Sequence, residues 1–199
     1  MMNRRMTQEE RRNETRQALL GAAVELFAQM GFHGASIDKI SEKAGYSKGA
    51  FYAHFDSKEN LFLILLQQQM EGYVHDIESI LNQQESIEDF VTAMNHYYEQ
   101  RKFLEQSSCL LNIEFLLYAM RDPSVKEKWS DLIQASVDQI ASGIEKLLGS
   151  VHPSKELTPE ELAWAILSLE NGISIYSFIR QDQVPYRLYE KTLKDLLIC

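Results

Sequence analysis

The segment from residue 35 to residue 61 has the pattern of two short helices joined by a glycine turn. Ser36 is a favourable N-cap for the first helix, and Gly45 permits a sharp turn after it. Ser47 can cap a second helix at 48–54. Apolar residues at helical spacing would anchor both helices to a core, namely Ile37, Ile40, Ala44, Phe51 and Phe55. This arrangement predicts a helix-turn-helix, whose second helix can enter the major groove of DNA.

The polar residues of this segment suit DNA contacts of two kinds. Lys48 can donate to guanine or to phosphate, and Tyr52 can reach the backbone or a thymine methyl group. Gly49 and Ala50 carry little side chain, so the helix can approach the groove closely. Three further side chains beside helix N-termini can donate hydrogen bonds to DNA phosphates, namely Ser36, Ser47 and Lys58. The two serines also serve as caps, whereas the helix dipole disfavours a cation at the position of Lys48.

A wider set of residues between 31 and 61 matches the sequence pattern of a known protein family. Its members are Gly31, Phe32, Ser36, Ile40, Ala44, Gly45, Ser47, Gly49, Tyr52, His54, Phe55, Lys58, Glu59, Asn60 and Leu61. Together they closely resemble the N-terminal DNA-binding domain of TetR-family (tetracycline-repressor-like) transcriptional regulators. The resemblance implies DNA contacts at the positions named above and a backbone contact from His54, a residue equally suited to packing between helices.

Three residues depart from the pattern of that family. Ser41 stands where alanine is usual, and Tyr46 where valine is common. Asp38 stands where some members carry a basic residue, so no DNA contact is expected from Asp38.

Charge is distributed unevenly along the chain. The 199 residues carry a net charge of −9, which argues against a general nucleic-acid coat protein. Residues 1–60 hold nine Lys and Arg against eight Asp and Glu, whereas residues 61–199 hold eleven against twenty-one. Five arginines lie at or before the first helix, namely Arg4, Arg5, Arg11, Arg12 and Arg16. The pattern predicts a DNA-facing head in front of an acidic body.

Apolar periodicity predicts helices along the whole chain and no convincing strand. The first helix is expected at 8–30, with a capping box from Thr7 and Glu10, and a long helix at 57–82. Further helices are predicted at 86–105, 108–121, 124–148, 159–181 and 186–198. The predicted fold is all-α with about nine helices. A three-helix helix-turn-helix domain at 1–56 would be joined by the long helix to a C-terminal helical bundle within an effector-binding and dimerisation domain at 57–199.

The helix at 159–181 is apolar on two faces, which predicts burial by its own core and by a second copy of the chain. Two-fold symmetry also suits a palindromic operator, whose half-sites lie about 34–36 Å apart. The predicted homodimer interface consists of Leu162, Ile166, Leu169, Ile173, Tyr176, Tyr189 and Leu193. In the regulators that this chain resembles, the two C-terminal helices of each chain form a four-helix bundle at the dimer interface. The alternative is a larger monomeric core.

An effector pocket is predicted around the apolar segment 109–120, which holds Asn112 and Glu114. A carboxylate in apolar surroundings must be paired, protonated or turned to water, so Glu114 could orient a cationic or hydrogen-bonding ligand. A structural partner for Glu114 and an ordinary aromatic core are the alternatives. The candidate pocket residues are Tyr97, Phe103, Asn112, Glu114, Phe115, Tyr118 and Trp164. The resemblance implies a small-molecule effector that favours a DNA-released state.

Several function classes are disfavoured. No apolar run approaches the ~18–20 residues that span a bilayer, and no signal peptide is present, so a cytoplasmic protein without membrane contact is expected. Cys109 and Cys199 lack metal-ligand spacing, and no metal or cofactor is predicted. The five histidines form no catalytic motif, so enzymatic activity is not expected. The remaining rival is a helical ligand-binding or adaptor protein that no longer binds DNA specifically.

Overall fold

The computed structural model describes residues 6–101, 106–149, 157–180 and 187–198. Within these residues the chain forms nine α-helices and no strand, which confirms the all-α fold. The helices are α1 (Gln8–Gly34), α2 (Ile37–Ala44), α3 (Lys48–Tyr52), α4 (Lys58–Gln83), α5 (Ile87–Arg101), α6 (Gln106–Arg121), α7 (Pro123–Leu148), α8 (Pro159–Arg180) and α9 (Leu188–Ile198).

Local chemistry explains where the helices begin and end. The predicted capping box of α1 is present, since the Thr7 hydroxyl accepts from the Glu10 amide at 3.1 Å and the Glu10 carboxylate accepts from the Thr7 amide at 2.7 Å. Gly31, with φ 72° and ψ 169°, interrupts the helical backbone of α1 near the predicted end. Pro123 is the first residue of α7, a position where proline loses no helical hydrogen bond.

The chain divides into two compact units. The N-terminal unit comprises the chain through Gln68 together with Leu110–Leu116, and the C-terminal unit comprises Gln69–Cys109 and Leu117–Cys199. Both α4 and α6 therefore contribute residues to both units. The sequence predicts a boundary between residues 56 and 57, just before α4, whereas this division falls within α4.

The N-terminal unit is built around an aromatic core. The Phe62 ring centroid lies 4.9 Å from that of Phe27, 4.8 Å from that of Phe32 and 5.6 Å from that of Phe115. All four side chains are buried, and burying one phenylalanine stabilises a fold by about 1.5–3 kcal/mol. This core joins α1, α4 and the middle of α6, and it supports the helix-turn-helix.

The C-terminal unit has its own apolar core. Helix α8 packs against α7 and α9, and α5 packs against α9. The core holds most of the buried aliphatic residues of these helices together with two tyrosines, Tyr98 and Tyr189. Their rings stack at a centroid distance of 4.7 Å.

The residues predicted for the dimer interface need correction. Five of the seven lie buried in the core of the C-terminal unit and cannot form a surface, namely Leu162, Ile166, Ile173, Tyr189 and Leu193. Leu169 is partly buried against the same core, and Tyr176 alone is largely exposed. A helix with two apolar faces does not reveal which one its own chain covers. The exposed large apolar side chains of α8 are Trp164, Tyr176 and Ile179.

Helix α8 also corrects the expectation that no segment is apolar enough to span a bilayer. By length and composition alone, it is the single helix among the described residues that passes that test. Only 28% of its most apolar stretch is buried in the chain. The covered face packs on α7 and α9, as in the core helix of a helical domain.

Candidate DNA-binding and ligand sites

The turn between α2 and α3 has the geometry of a helix-turn-helix. The Ser36 hydroxyl accepts from the Lys39 amide at 3.2 Å, and the Ser47 hydroxyl accepts from the Ala50 amide at 3.2 Å. Gly45 has φ 78° and ψ 24°, a left-handed conformation that favours glycine. Ser36 and Ser47 are therefore N-caps, and their phosphate contacts stay predictions.

One face of α3 is anchored and the other is open to solvent. Phe51 and Phe55 are buried, as predicted, and Ile40 of α2 is buried as well. On the opposite face, the side chains of Lys48 and Tyr52 are exposed, and so is Gly49. Ala50 is half-buried. The helix thus presents a narrow surface of small residues between a cation and a phenol.

Lys48 is already engaged in an ion pair. Its ammonium nitrogen lies 3.1 Å from each carboxylate oxygen of Asp38, the second residue of α2. Both side chains remain largely exposed. The pairing explains how a cation is accommodated at the first residue of α3, where the helix dipole opposes it.

A positive surface lies beside the end of α3. Partial burial first, and then the charges of Arg12 and Arg16, lower the pKa of His54 below 6.5. The Arg16 guanidinium also lies 5.5 Å from the centroid of the Phe55 ring. The two arginines of α1 are therefore close to the end of α3, and a phosphate group placed there would meet donors from Arg12, Arg16 and His54.

Lys58 has a structural role that its sequence position did not reveal. Its ammonium donates to the carbonyl oxygens of Phe32 at 2.6 Å and Ala35 at 2.9 Å, and it lies 4.2 Å from the centroid of the Phe32 ring. Burial lowers the pKa of Lys58. These contacts hold the connection between α1 and α2, while the predicted phosphate contact stays a prediction.

Glu114 contacts the end of α1. Its carboxylate accepts from the Phe32 amide at 3.4 Å, and a Cβ placed on Gly31 would lie 3.0 Å from Glu114 Oε1. Both contacts are inside the N-terminal unit. Of the alternatives for Glu114, a structural partner is therefore the one that the geometry favours. Sequence spacing gave no signal for it, because 82 residues separate Glu114 from Phe32.

The predicted effector residues are divided between the two units. Asn112, Glu114 and Phe115 belong to the N-terminal unit, whereas Tyr97, Tyr118 and Trp164 belong to the C-terminal unit. Phe115 is fully buried in the aromatic core, and Trp164 is exposed on α8. Phe103 lies outside the described residues.

A cluster of tyrosines and carboxylates lies inside the C-terminal unit; we call it the tyrosine cluster. It consists of Tyr73 and Asp76 of α4, Tyr97 and Tyr98 of α5, Glu170 of α8 and Tyr189 of α9. Two phenols donate to carboxylates: the Tyr73 hydroxyl to Glu170, and the Tyr97 hydroxyl to Asp76 at 2.9 Å. Burial first, and next the Glu170 carboxylate, raise the pKa of Tyr73 and of Tyr189 well above 10.0.

One hydroxyl of this cluster stands out. The Tyr189 side chain is fully buried, yet its oxygen has no hydrogen-bond partner among the described residues. Because nearly all buried polar groups are hydrogen-bonded, such an atom calls for a water molecule or a ligand. Sequence reasoning assigned Tyr189 to the dimer interface, since its apolar neighbours in α9 indicated one, and gave no signal for this buried hydroxyl.

Comparison with known proteins agrees with this geometry. The model of bacterial regulatory proteins of the TetR family matches residues 19–65. The transcriptional activator FasR of Mycolicibacterium smegmatis is 41% identical over 70 residues, which are 35% of this chain and 32% of FasR. The transcriptional regulator CymR of Pseudomonas putida is 25% identical over 198 residues, which are 98% of this chain and 95% of CymR.

The fold is also found in a transcriptional regulator from Saccharomonospora viridis in complex with choline. The two structures have a TM-score of 0.73 at 18% sequence identity, covering 92% of this chain and 95% of that one. Residues 19–65 contain the complete helix-turn-helix, and the similarity to CymR extends over nearly the whole chain. Residues 19–65 therefore form a DNA-binding domain of the TetR family, and the similarity of the whole chain is to transcriptional regulators.

Proposed function

We propose that this regulator is a cytoplasmic repressor that binds a palindromic operator as a homodimer and is released by a small organic cation. The observation that carries the DNA-binding part is the open face of α3, where Lys48 and Tyr52 flank small residues beside Arg12 and Arg16. In the bound state, base contacts come from Lys48, Gly49 and Ala50. Phosphate contacts come from Ser36, Ser47, Tyr52, His54 and Lys58.

The exposed apolar face of α8 supports the homodimer. Trp164, Tyr176 and Ile179 recur on one side of this helix, and all are at least 41% exposed in a single chain. A partner copy related by a two-fold axis would cover the same face on both chains. Two heads are needed because the small residues of α3 leave each one with few base-reading groups.

The tyrosine cluster supports an effector of positive charge. Its raised pKa values keep the Tyr73 and Tyr189 phenols neutral at physiological pH, so each offers a π-face and a hydroxyl. Aromatic faces together with carboxylates attract ammonium groups. Helices α4 and α6 contribute residues to both units. A conformational change that a ligand causes in the C-terminal unit can therefore be transmitted along these helices to the DNA-binding domain. Release follows if the ligand prefers the state that does not bind DNA.

DNA binding is tested with fluorescence-labelled DNA from upstream of the gene, titrated by anisotropy at several salt concentrations. Phosphate contacts predict that affinity falls steeply as salt rises. Lys48→Ala is expected to weaken binding and to relax sequence preference, whereas the exposed Lys128→Ala on α7 leaves both unchanged. A flat salt response would instead favour the helical adaptor that lacks specific DNA binding.

The effector proposal is tested by calorimetric titration with choline, the cation bound in the Saccharomonospora viridis structure, and with tetramethylammonium. We expect binding that Tyr189→Phe weakens and that releases the labelled DNA. Tyr189→Phe keeps the buried ring, so its fold is expected to be intact. Absence of binding by both cations at millimolar concentration would contradict the assignment of a cationic effector.

A further inference from the structure

We propose that Asp38 and Lys48 act together as the reader of one G·C base pair, with Lys48 donating to guanine and Asp38 accepting from the cytosine amino group. This assigns a base contact to Asp38, from which the sequence predicted none. The proposal rests on the operator binding proposed above.

The positions of the two residues place them on the DNA-facing side of the motif. Asp38 is the second residue of α2 and Lys48 is the first residue of α3. In helix-turn-helix proteins, the N-terminal residues of the second helix contact base edges. The side chains of Asp38 and Lys48 are 68% and 53% exposed, so packing in the core does not keep either from reaching DNA.

The ion pair leaves hydrogen-bonding capacity on its outer side. A lysine ammonium has three donors and a carboxylate has about four acceptor sites. The contacts of 3.1 Å between Lys48 Nζ and the two Asp38 oxygens use only part of these. The pair therefore presents a donor and an acceptor side by side to an approaching base pair.

That pattern matches the major-groove edge of a G·C pair. Guanine presents acceptors at N7 and O6, and cytosine presents a donor at its N4 amino group. Lysine is a common partner of guanine, and aspartate accepts from cytosine N4. At an A·T pair in the same orientation the Asp38 carboxylate would face the O4 acceptor and the methyl group of thymine, and at a C·G pair it would face the acceptors of guanine, which penalises these sequences.

Little else on the reading face supplies this discrimination. Gly49 and Ala50, which follow Lys48, have no side-chain donors or acceptors. Asp38 offsets the unfavourable dipole at Lys48, but exposed ion pairs contribute little to stability, so this structural effect is small. The geometry thus favours a role in recognition.

The experiment measures affinity for a set of operators in which each G·C pair is replaced in turn by A·T, which puts thymine in the place of cytosine, and by T·A, which puts adenine there. Wild type is expected to lose about 10- to 100-fold in affinity on the A·T replacement at one position of each half-site. Asp38→Asn is expected to lose this discrimination at that position alone and to gain affinity there for T·A, since asparagine pairs with adenine. Lys48→Met is expected to affect the same position.

The matched control is Glu25→Gln. It breaks a second exposed ion pair in the same unit, between Glu25 and Lys43 at 2.8 Å, and is expected to leave the discrimination at every position unchanged. Circular dichroism melting checks that all variants are folded.

Two results would overturn the proposal. If Asp38→Asn tightens binding equally to all sequences, Asp38 only repels phosphate and neutralises Lys48. If the variant keeps the full discrimination of wild type, Asp38 makes no base contact. Failure of wild type to bind any of the operators would instead refute operator binding itself.

Discussion

At the scale of single residues, Lys58 stabilises the connection between α1 and α2 through two carbonyl groups. We expect Lys58→Met to keep the stem over the Phe32 ring but to lose both charged hydrogen bonds, at a cost of about 2 kcal/mol. Hydrogen exchange of the amides at 32–36 should accelerate, whereas Lys128→Met should leave it unchanged. Unchanged exchange in Lys58→Met would contradict this structural role, whether or not operator binding weakens.

His54 should make DNA binding dependent on pH. In the free protein, partial burial and then Arg12 and Arg16 hold its pKa below 6.5, so the imidazole is neutral at pH 7. A DNA phosphate beside it favours the charged form, and binding therefore takes up a proton. Operator affinity at constant salt should rise as the pH falls from about 7.5 toward 6. His54→Gln should flatten this response, and His33→Gln, an exposed residue of α1, should not.

The lowered pKa of His54 also makes the stability of the fold depend on pH. This stability decreases as the pH falls, whereas operator affinity is expected to increase. The unfolded chain, with a histidine pKa near 6.5, binds this proton more readily than the folded chain. The contribution of His54 to stability is therefore present above 6.5 and is lost as the pH falls below it. Circular dichroism at each pH should accompany the DNA titrations, because loss of folded protein would mask the rise in affinity.

At the scale of elements, the end of α1 depends on a backbone conformation that only glycine adopts readily. Gly31 has φ 72° and ψ 169°, and placing another residue there costs about 1–3 kcal/mol. We expect Gly31→Ala to lower the midpoint of urea unfolding. Gly21→Ala lies in an exposed, helical part of α1 with open space for a methyl group, so it should stabilise by about 0.5–1 kcal/mol. Similar midpoints for the two variants would contradict this account.

The local elements were predictable to different degrees. Thr7, Ser36 and Ser47 cap their helices through residues three positions away, so the sequence alone revealed these helix starts. The contacts of Glu114 with the Phe32 amide and of Lys58 with the Phe32 carbonyl join distant parts of the chain. Spacing in the sequence carries no trace of such pairs, which is why Glu114 was predicted for a pocket.

At the scale of the whole molecule, the exposed face of α8 is expected to form the dimer. Tyr176→Glu combined with Ile179→Glu places charges on side chains that are 64% and 66% exposed, so each chain should stay folded while the dimer dissociates. Sedimentation velocity should show a monomer, and affinity for the palindrome should fall toward that for a half-site.

The matched control combines Leu117→Glu and Met120→Glu. These α6 side chains are also exposed and apolar, but they lie outside α8 and should leave the dimer intact. A wild-type protein that sediments only as a monomer at micromolar concentration would refute the dimer.

Residues and short-range pattern were enough to establish the all-α fold, the helix-turn-helix and its family, because caps, turns and periodicity act within a few positions of the chain. Three features depended on tertiary structure: which face of α8 is covered, where Glu114 and Lys58 point, and that Asp38 pairs with Lys48. Each is set by packing between helices that are distant in sequence or joined by a turn. Such packing decides which of several chemically acceptable partners a side chain meets.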